Sequence, residues 1–290
     1  MFVEESDIYK KYRKKLKSIF DNNNQQVSRE MLEEFENYLR DNWSMDNVKI
    51  YRYSNADYYN LRNFEKGKIR LTNNGILNDI FEGLPHGITA EQIKSICDIV
   101  YMKCFSTDYE NTLMWAHYAD NNKGICIEYD LSILEHDDPV LENVYPIIYE
   151  EKRPFKIDVQ EIAEIVEKQK WLNYDIQQDG EDNYNALFQA LPFFLFKSKD
   201  WEYEKEWRII YTKAEIYLND CVDVQNPIIN FDCATGIYLG YRVEKEVKEN
   251  IVEIVDRINE DRKQKSRECV SVYEPTLNRD TYGFKFHKIH

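Results

Sequence analysis

The chain of 290 residues has an aromatic content of 14% and a formal net charge of −15 at pH 7. This length is sufficient for one large domain, and so many aromatic side chains exclude a disordered or low-complexity chain. The acidic balance disfavours binding to a nucleic-acid backbone over a broad face, although it leaves room for a local basic groove.

The sequence also predicts a cytoplasmic protein with reduced thiols. No stretch approaches the ~18 apolar residues of a membrane span, and the first residues lack the apolar stretch of a signal peptide, so we expect no membrane partner. The six cysteines include no CxxC pair and no zinc-type histidine spacing, so no metal site is expected. Cysteines in apolar runs, such as Cys126, are expected to pack as small buried side chains.

Two amphipathic helices are predicted at the N-terminus, over residues 5–20 and 28–43. In the second of them Met31, Phe35 and Leu39 recur at four-residue spacing. We interpret residues 1–45 as a helical arm added to the main fold, whose role is packing or dimer formation.

Beyond this arm, short strand patterns alternate irregularly with helical patterns. The strand patterns cover residues 48–53, 69–72, 100–106, 124–129, 145–149, 202–212, 237–239, 270–273 and 284–289. The helical patterns cover residues 57–66, 90–98, 112–119, 157–172 and 183–196, and one further helix contains Val247, Ile251, Ile254 and Ile258. Gly67 is expected to end a helix, and Gly124 to adopt a positive φ. This order predicts an α+β domain over residues 46–290, with mixed, largely antiparallel central sheets and flanking helices.

The first of two segments dense in polar and aromatic residues covers residues 104–130. A strand ending in Ser106 and Thr107 is followed by a short helix that carries Trp115, His117 and Tyr118. This combination is typical of a concave ligand site. The alternative interpretation is an aromatic core plug with a hydrogen-bonded histidine.

The second dense segment covers residues 197–210, and its residues alternate as in a strand from Glu202 onwards. The alternation predicts one face with Glu202, Glu204, Glu206 and Arg208, and an opposite face with Tyr203, Lys205, Trp207 and Ile209. A carboxylate pair on a rigid strand would suit chemistry on a sugar or a metal. A solvated edge strand, with Arg208 pairing its neighbours, is the alternative.

Four motifs in one order resemble a widespread bacterial family that is known only as a domain of unknown function. The motifs are Asn78-Asp79-x-Phe81-Glu82, Cys104-Phe105-Ser106, Met114-Trp115-x-His117-Tyr118 with Gly124-x-Cys126, and Trp201-x-x-Glu204-x-Glu206-Trp207-Arg208. The resemblance spans roughly residues 48–240. Ile80 departs from the pattern of this family, in which proline usually occupies that position.

The chain also resembles ADP-ribosyltransferases of the Arg–Ser–Glu type, in the order of three elements. Arg52 lies on an early strand, Ser106-Thr107 ends a middle strand, and Glu204-x-Glu206 lies on a late strand. The resemblance implies an ADP-ribosyltransferase-like fold and NAD as the substrate.

Roles for individual residues follow from the same resemblance. Glu206, with Glu204, would stabilise the oxocarbenium-like cation formed when the nicotinamide–ribose bond breaks. Arg52 would bind the pyrophosphate, and Ser106 would orient the ribose and the amide. The remaining residues expected to contact NAD are Tyr53, Thr107, Trp115, His117 and Tyr118.

The sequence therefore leaves three functions open. The first is an ADP-ribosyltransferase or NAD glycohydrolase, as a toxin or phage-defence effector with a protein or nucleic-acid acceptor and a homodimer or antitoxin partner. The second is a magnesium-dependent nuclease that uses Asp79, Glu204, Glu206 and either Lys205 or Lys197, of which Lys205 is expected to point away from the carboxylates. The third is a non-catalytic module in which the helix with Trp115 caps a groove.

Overall fold

The computed structural model describes residues 5–22, 29–73, 79, 100–152, 194–212, 216 and 227–290. Several predictions lie outside these residues: the helices over residues 90–98 and 157–172, and the Asn78-Asp79 motif apart from Asp79. The helix predicted over residues 183–196 lies outside them up to residue 193, and its predicted end is wrong, because Phe196 begins a strand. Within the described residues, no helix is long and apolar enough to cross a bilayer.

Two N-terminal helices, α1 (Asp7–Asn22) and α2 (Arg29–Asp46), form as the amphipathic patterns predict. Their apolar faces pack into the same core as the strands. Tyr12 of α1 contacts Trp207 edge to face, with ring centroids 5.6 Å apart. Trp43 of α2 donates its indole N–H to the carbonyl of Leu131 over 2.6 Å.

A mixed, mostly antiparallel sheet of nine strands confirms the α+β class. Its strands are β1 (Lys49–Ser54), β3 (Thr72–Asn73), β4 (Val100–Ser106), β5 (Ile125–Asp130), β6 (Val144–Pro146), β9 (Glu206–Thr212), β11 (Ala234–Leu239), β12 (Ser271–Leu277) and β13 (Phe284–Lys288). Their order across the sheet is β13-β12-β11-β5-β1-β4-β9-β6, with β3 paired to β4. Two small sheets pair β10 (Ile228–Asn230) with β2 (Lys68–Arg70) and β7 (Ile148–Glu150) with β8 (Phe196–Ser198).

In the described part of the chain, three further α-helices flank the strands. They are α3 (Tyr58–Glu65), α4 (Thr112–Tyr118) and α5 (Lys245–Gln264). Asp57 caps the N-terminus of α3 by accepting a hydrogen bond from the Asn60 N–H, and Gly67 follows that helix with φ of +60°, as predicted.

Register within the sheet assigns side chains to its two faces, because successive residues of a strand point in opposite directions. Ser106 lies opposite Tyr51 on one side and opposite Glu206 on the other, so these three side chains share a face. Arg52 follows Tyr51 in β1 and therefore points to the other face, where it lies opposite Ile127. The sheet thus separates Arg52 from Ser106 and Glu206.

Two sequence predictions near the dense segments are wrong in detail. The strand predicted from Glu202 begins at Glu206, because Lys199–Glu204 forms a 3-10 helix that ends at the left-handed residue Lys205. β9 is an interior strand between β4 and β6, and Arg208 is fully buried, so the solvated edge strand is excluded. The positive φ expected at Gly124 occurs instead in the turn before it, at Asp120–Asn122.

Gly124 is required for a different reason, which is space. A Cβ atom at this position would lie 2.2 Å from the carbonyl oxygen of Ser54 and 2.9 Å from the backbone of Ala119. The absence of a side chain therefore lets the turn after α4 approach the end of β1.

Candidate functional site

A tight turn before β9 brings Glu204 and Glu206 together. The side chain of Lys197 comes from β8, and the 3-10 helix Lys199–Glu204 then leads into Lys205, whose φ of +46° is rare for a residue other than glycine. An ion pair of 2.9 Å between Lys205 and Asp108 holds this conformation. Lys205 thus points away from the carboxylates, as expected from sequence.

Lys197 joins the two carboxylates. Its Nζ donates to Oε2 of Glu204 over 2.5 Å and to Oε2 of Glu206 over 3.0 Å, and all three side chains are buried. Although burial is the largest effect on the pKa of Lys197 and lowers it, the charges of Glu206 and Glu204 raise this pKa above its ordinary value. Lys197 therefore stays protonated and neutralises part of the negative charge of the pair.

Arg208 fixes the orientation of Glu206 through two parallel hydrogen bonds. Its Nε donates to Oε1 over 2.8 Å and its Nη2 donates to Oε2 over 2.9 Å, while Nη1 donates to the carbonyl of Phe194. Burial lowers the pKa of Arg208 to about 9, and the nearby charge of Asp79, also buried, opposes this change. This geometry is the most directional that an arginine and a carboxylate form.

Glu204 is the carboxylate of this cluster that accepts a hydrogen bond from helix α4. Tyr118 of α4, itself half-buried, donates its hydroxyl to Oε1 of Glu204 over 2.5 Å. Burial and the adjacent charge of Glu206 raise the pKa of Glu204, against the opposing hydrogen bonds from Lys197 and Tyr118. A buried carboxyl group with a raised pKa that is hydrogen-bonded to a half-buried tyrosine is suited to proton transfer or to stabilising a cation.

Aromatic and sulfur groups surround the same cluster. Trp201 is partly exposed, and its ring centroid lies 5.0 Å from Nζ of Lys197 in a cation–π contact. Tyr203 is also partly exposed and lies beside Trp201. Burial and the charge of Glu206 raise the pKa of Cys104 well above its usual value, so its thiol stays protonated.

Ser106 and Thr107 hold the turn instead of facing an open site. The Ser106 hydroxyl is fully buried, donates to the carbonyl of Glu204 over 2.7 Å and accepts the N–H of Asp108 over 3.1 Å. The N–H of Thr107 donates to the carbonyl of Lys205, and its hydroxyl donates to Glu5. Ser106 therefore contacts the turn that carries the two carboxylates through the backbone carbonyl of Glu204.

The structure does not bring Tyr53, Trp115 or His117 into contact with the carboxylate pair. Trp115 is 1% exposed, donates to the carbonyl of Tyr109 and packs edge to face on the buried Tyr53 ring. His117 is exposed, with its ring centroid 6.4 Å from that of Tyr118. Of the aromatic residues that the sequence indicated, Tyr118 alone contacts the carboxylate pair.

Sequence reasoning missed Tyr149 and the central position of Lys197. The Tyr149 hydroxyl accepts the N–H of Glu206 over 2.7 Å, and the guanidinium of Arg13 lies over the Tyr149 ring at 5.1 Å. Tyr149 belongs to an apolar strand pattern that gives no sign of this contact. Lys197 precedes Glu204 by seven residues, a spacing that becomes a contact only through the intervening 3-10 turn.

Comparisons with known proteins identify one family. Residues 114–209 match the family model described as "Protein of unknown function (DUF2971)", which confirms the resemblance to a family of unknown function. The match begins within α4 and ends within β9, so it contains Tyr118, Lys197, Glu204, Glu206 and Arg208, and it is shorter than the 48–240 span of the motifs. No curated protein and no solved structure matches the chain.

Proposed function

We propose that the chain cleaves the nicotinamide–ribose bond of NAD, as an ADP-ribosyltransferase or an NAD glycohydrolase, with Glu204 as the carboxylate that meets the ribose. The observation that carries this proposal is the contact of Glu204 with Tyr118. This contact links a buried carboxylate of the cluster around Lys197 to the hydroxyl group of a partly exposed tyrosine. Trp201 and Tyr203 supply aromatic surface beside it for the nicotinamide or the adenine.

The reaction requires one carboxylate that is ionised and fixed. As the bond between C1′ and the pyridinium nitrogen breaks, nicotinamide leaves with the bonding electron pair and the ribose becomes an oxocarbenium-like cation. Ionised Glu204 stabilises this cation, since hydrogen bonds from Lys197 and Tyr118 favour its charged form. Water or an acceptor group then attacks C1′ and gives up its proton, for which Glu204 is the nearest base in the cluster.

In this proposal Glu206 is a positioning residue. Three hydrogen bonds from Arg208 and Lys197 occupy its two oxygens, so it holds Lys197 against Glu204. The finer fold assignment, an ADP-ribosyltransferase-like core, is supported by the adjacency of β1, β4 and β9, the strands of the Arg–Ser–Glu resemblance. A toxin or defence-effector setting, with its unidentified acceptor and partner, rests on the sequence resemblance alone.

The proposal is tested by incubating the protein with NAD and measuring free nicotinamide by chromatography. We expect release by the unchanged protein, its loss in Glu204→Gln, and unchanged release in Glu202→Gln, since Glu202 is exposed in the same turn. The mass of the second product distinguishes ADP-ribose from a modified acceptor. If the protein releases no nicotinamide, or if Glu204→Gln releases it at the original rate, the proposal is wrong.

The two alternative functions have less support. A magnesium-dependent nuclease would need a cation between the carboxylates of Glu204 and Glu206, and Lys197 occupies that position. A groove-capping module would need an accessible Trp115, which is 1% exposed. A nuclease predicts DNA or RNA cleavage that EDTA abolishes and Mg²⁺ restores, and the NAD reaction predicts neither.

A further inference from the structure

A notch in the sheet lies on the face opposite the carboxylate cluster. One edge of β4 pairs with β1 at Ser106 and with β3 at Tyr101 and Met102. Lys103 and Cys104 lie between these two ladders, where the edge of β4 has no neighbouring strand among the described residues. The guanidinium of Arg52 reaches this notch and donates from Nη1 to the carbonyl of Cys104 over 3.2 Å.

Two cationic side chains, those of Arg52 and Lys103, lie beside the notch on the same face of the sheet. Lys103 is two residues from Phe105, which shares the sheet face of Arg52, so strand alternation directs Lys103 to the same face. Burial, followed by the charges of Arg52 and Arg70, lowers the pKa of Lys103 to about 7. Cys104 and Asp57, whose carboxylate caps α3, oppose this change.

Both cations of the notch are partly exposed, and neither has a full set of protein partners among the described residues. Nε of Arg52 is buried without an acceptor, and among the described residues no group accepts a hydrogen bond from the Lys103 ammonium. A buried guanidinium nitrogen without an acceptor is unfavourable and like charges repel each other, so an anionic ligand would stabilise this arrangement. This pair stands out further in a chain whose net charge is −15.

We propose that Arg52 and Lys103 form a binding site for a phosphate group, separate from the carboxylate cluster around Lys197. A phosphate oxygen accepts from the planar guanidinium and from the ammonium at once, which supplies both missing partners. The phosphate group comes either from an inorganic anion or from a nucleotide whose phosphates reach the notch. This site does not depend on NAD cleavage, because the sheet lies between Arg52 and Glu206.

The experiment measures ligand-dependent stabilisation of the full chain, as the rise in Tm with added inorganic pyrophosphate or ADP-ribose at constant ionic strength. Lys103→Met removes the charge and keeps an apolar chain of similar length. Lys66→Met is the matched control, because Lys66 is an exposed lysine at the end of α3. Arg52→Gln provides a second variant that removes the other cation.

We expect pyrophosphate to raise the Tm of the unchanged protein and of Lys66→Met, and Lys103→Met to lower the apparent affinity about tenfold to a hundredfold. A response to ADP-ribose that is stronger than the response to pyrophosphate, and that Lys103→Met removes, identifies a nucleotide as the source of the phosphate at the notch. Equal responses of Lys103→Met and Lys66→Met would overturn the proposal. No rise in the unchanged protein with either ligand would overturn it as well.

Discussion

Tyr118 donates a hydrogen bond of 2.5 Å to Oε1 of Glu204, which ties the end of helix α4 to the turn before β9. These two residues belong to the two dense segments of the sequence and are 86 positions apart. Their contact makes one site out of two motifs that sequence spacing alone does not connect. It also gives the Glu204 carboxylate a hydrogen bond from helix α4, whereas the hydrogen bonds to the Glu206 carboxylate from Arg208 and Lys197 come from buried side chains.

Substituting Tyr118 with Phe tests this relationship. Because the hydroxyl stabilises and orients ionised Glu204, we expect the rate of nicotinamide release to fall about a hundredfold. The free energy of unfolding should fall by only about 1 kcal/mol, the usual net value of one hydrogen bond. Tyr59→Phe is the control, since Tyr59 is 71% exposed, and it should change neither quantity. A Tyr118→Phe variant with full activity would remove this hydroxyl from the site.

Lys197→Met tests whether the cluster depends on its bridging cation. The variant leaves Glu204 and Glu206 buried with Arg208 as the remaining cation in contact, so we expect a loss of about 3–5 kcal/mol in the free energy of unfolding measured with urea. Lys199→Met should cost almost nothing, because the side chain of Lys199 is 57% exposed.

A double variant distinguishes lost pairing from lost packing. In Lys197→Met combined with Glu204→Gln, one of the two carboxylates becomes neutral together with the lysine. We expect this double variant to be more stable than Lys197→Met alone, because fewer unpaired charges remain buried. If the losses of stability caused by Lys197→Met and by Glu204→Gln simply add in the double variant, the lysine stabilises the fold through packing and not through its charge.

Local sequence patterns predict much of the fold, and strand β9 shows where such a prediction succeeds and where it fails. The alternation of Trp207 and Ile209 predicts their burial, and both are fully buried. It fails at Glu204, because the left-handed conformation of Lys205 interrupts the strand and no residue type marks that conformation. A sterically unfavourable φ at a lysine is stabilised by tertiary contacts, here the ion pair with Asp108, which local patterns do not contain.

Arg52 shows a second reason why the site was only partly predictable. Motif order along the chain correctly indicates that the strands of Arg52, Ser106 and Glu206 are related, since these strands are neighbours in the sheet. The face on which each side chain lies depends on register, and a shift of one residue reverses it. Register between distant strands cannot be inferred from one sequence, so the sequence alone did not show that Arg52 lies on the opposite face from Ser106 and Glu206.

Trp115→Ala and Trp201→Ala form a contrasting pair of variants. Trp115 is almost completely buried between Tyr53 and Phe286, so its removal should cost about 3–5 kcal/mol in the free energy of unfolding. Trp201 is partly exposed beside Lys197, so its removal should leave stability nearly unchanged and raise the KM for NAD. Denaturation and steady-state kinetics of both variants check this. A stable Trp115→Ala variant with a selective binding defect would instead support a groove-capping helix.

Gly124→Ala tests the close approach of backbone segments after α4. The added Cβ would lie 2.2 Å from the carbonyl oxygen of Ser54, a distance that forces the backbone to move, so we expect a loss of about 2–3 kcal/mol. At Gly283, the nearest atom to an added Cβ is 3.6 Å away, which is ordinary contact, and Gly283→Ala should be tolerated. Thermal unfolding of the two variants under the same conditions measures the difference.

The pH dependence of stability tests the charge state of Lys103. Burial and the cations Arg52 and Arg70, opposed by Asp57, give Lys103 a pKa of about 7 in the folded protein against an ordinary value of 10.5. Between these two values the unfolded chain binds more protons than the folded chain, so this group makes stability increase as pH rises. Below about pH 7 both states carry the charge, and the folded state bears the full cost of burying it.

Lys103→Met removes that dependence. We therefore expect the variant to exceed the unchanged protein in free energy of unfolding most strongly below about pH 7, with the excess shrinking as pH rises towards about 10. Urea denaturation over this range measures both proteins, and effects of other titrating groups cancel in their difference. Lys66→Met should follow the unchanged protein at every pH, since Lys66 is exposed. A constant difference between Lys103→Met and the unchanged protein would mean that Lys103 is charged and well solvated in the folded state, which would also deprive the phosphate site of its unpaired cation.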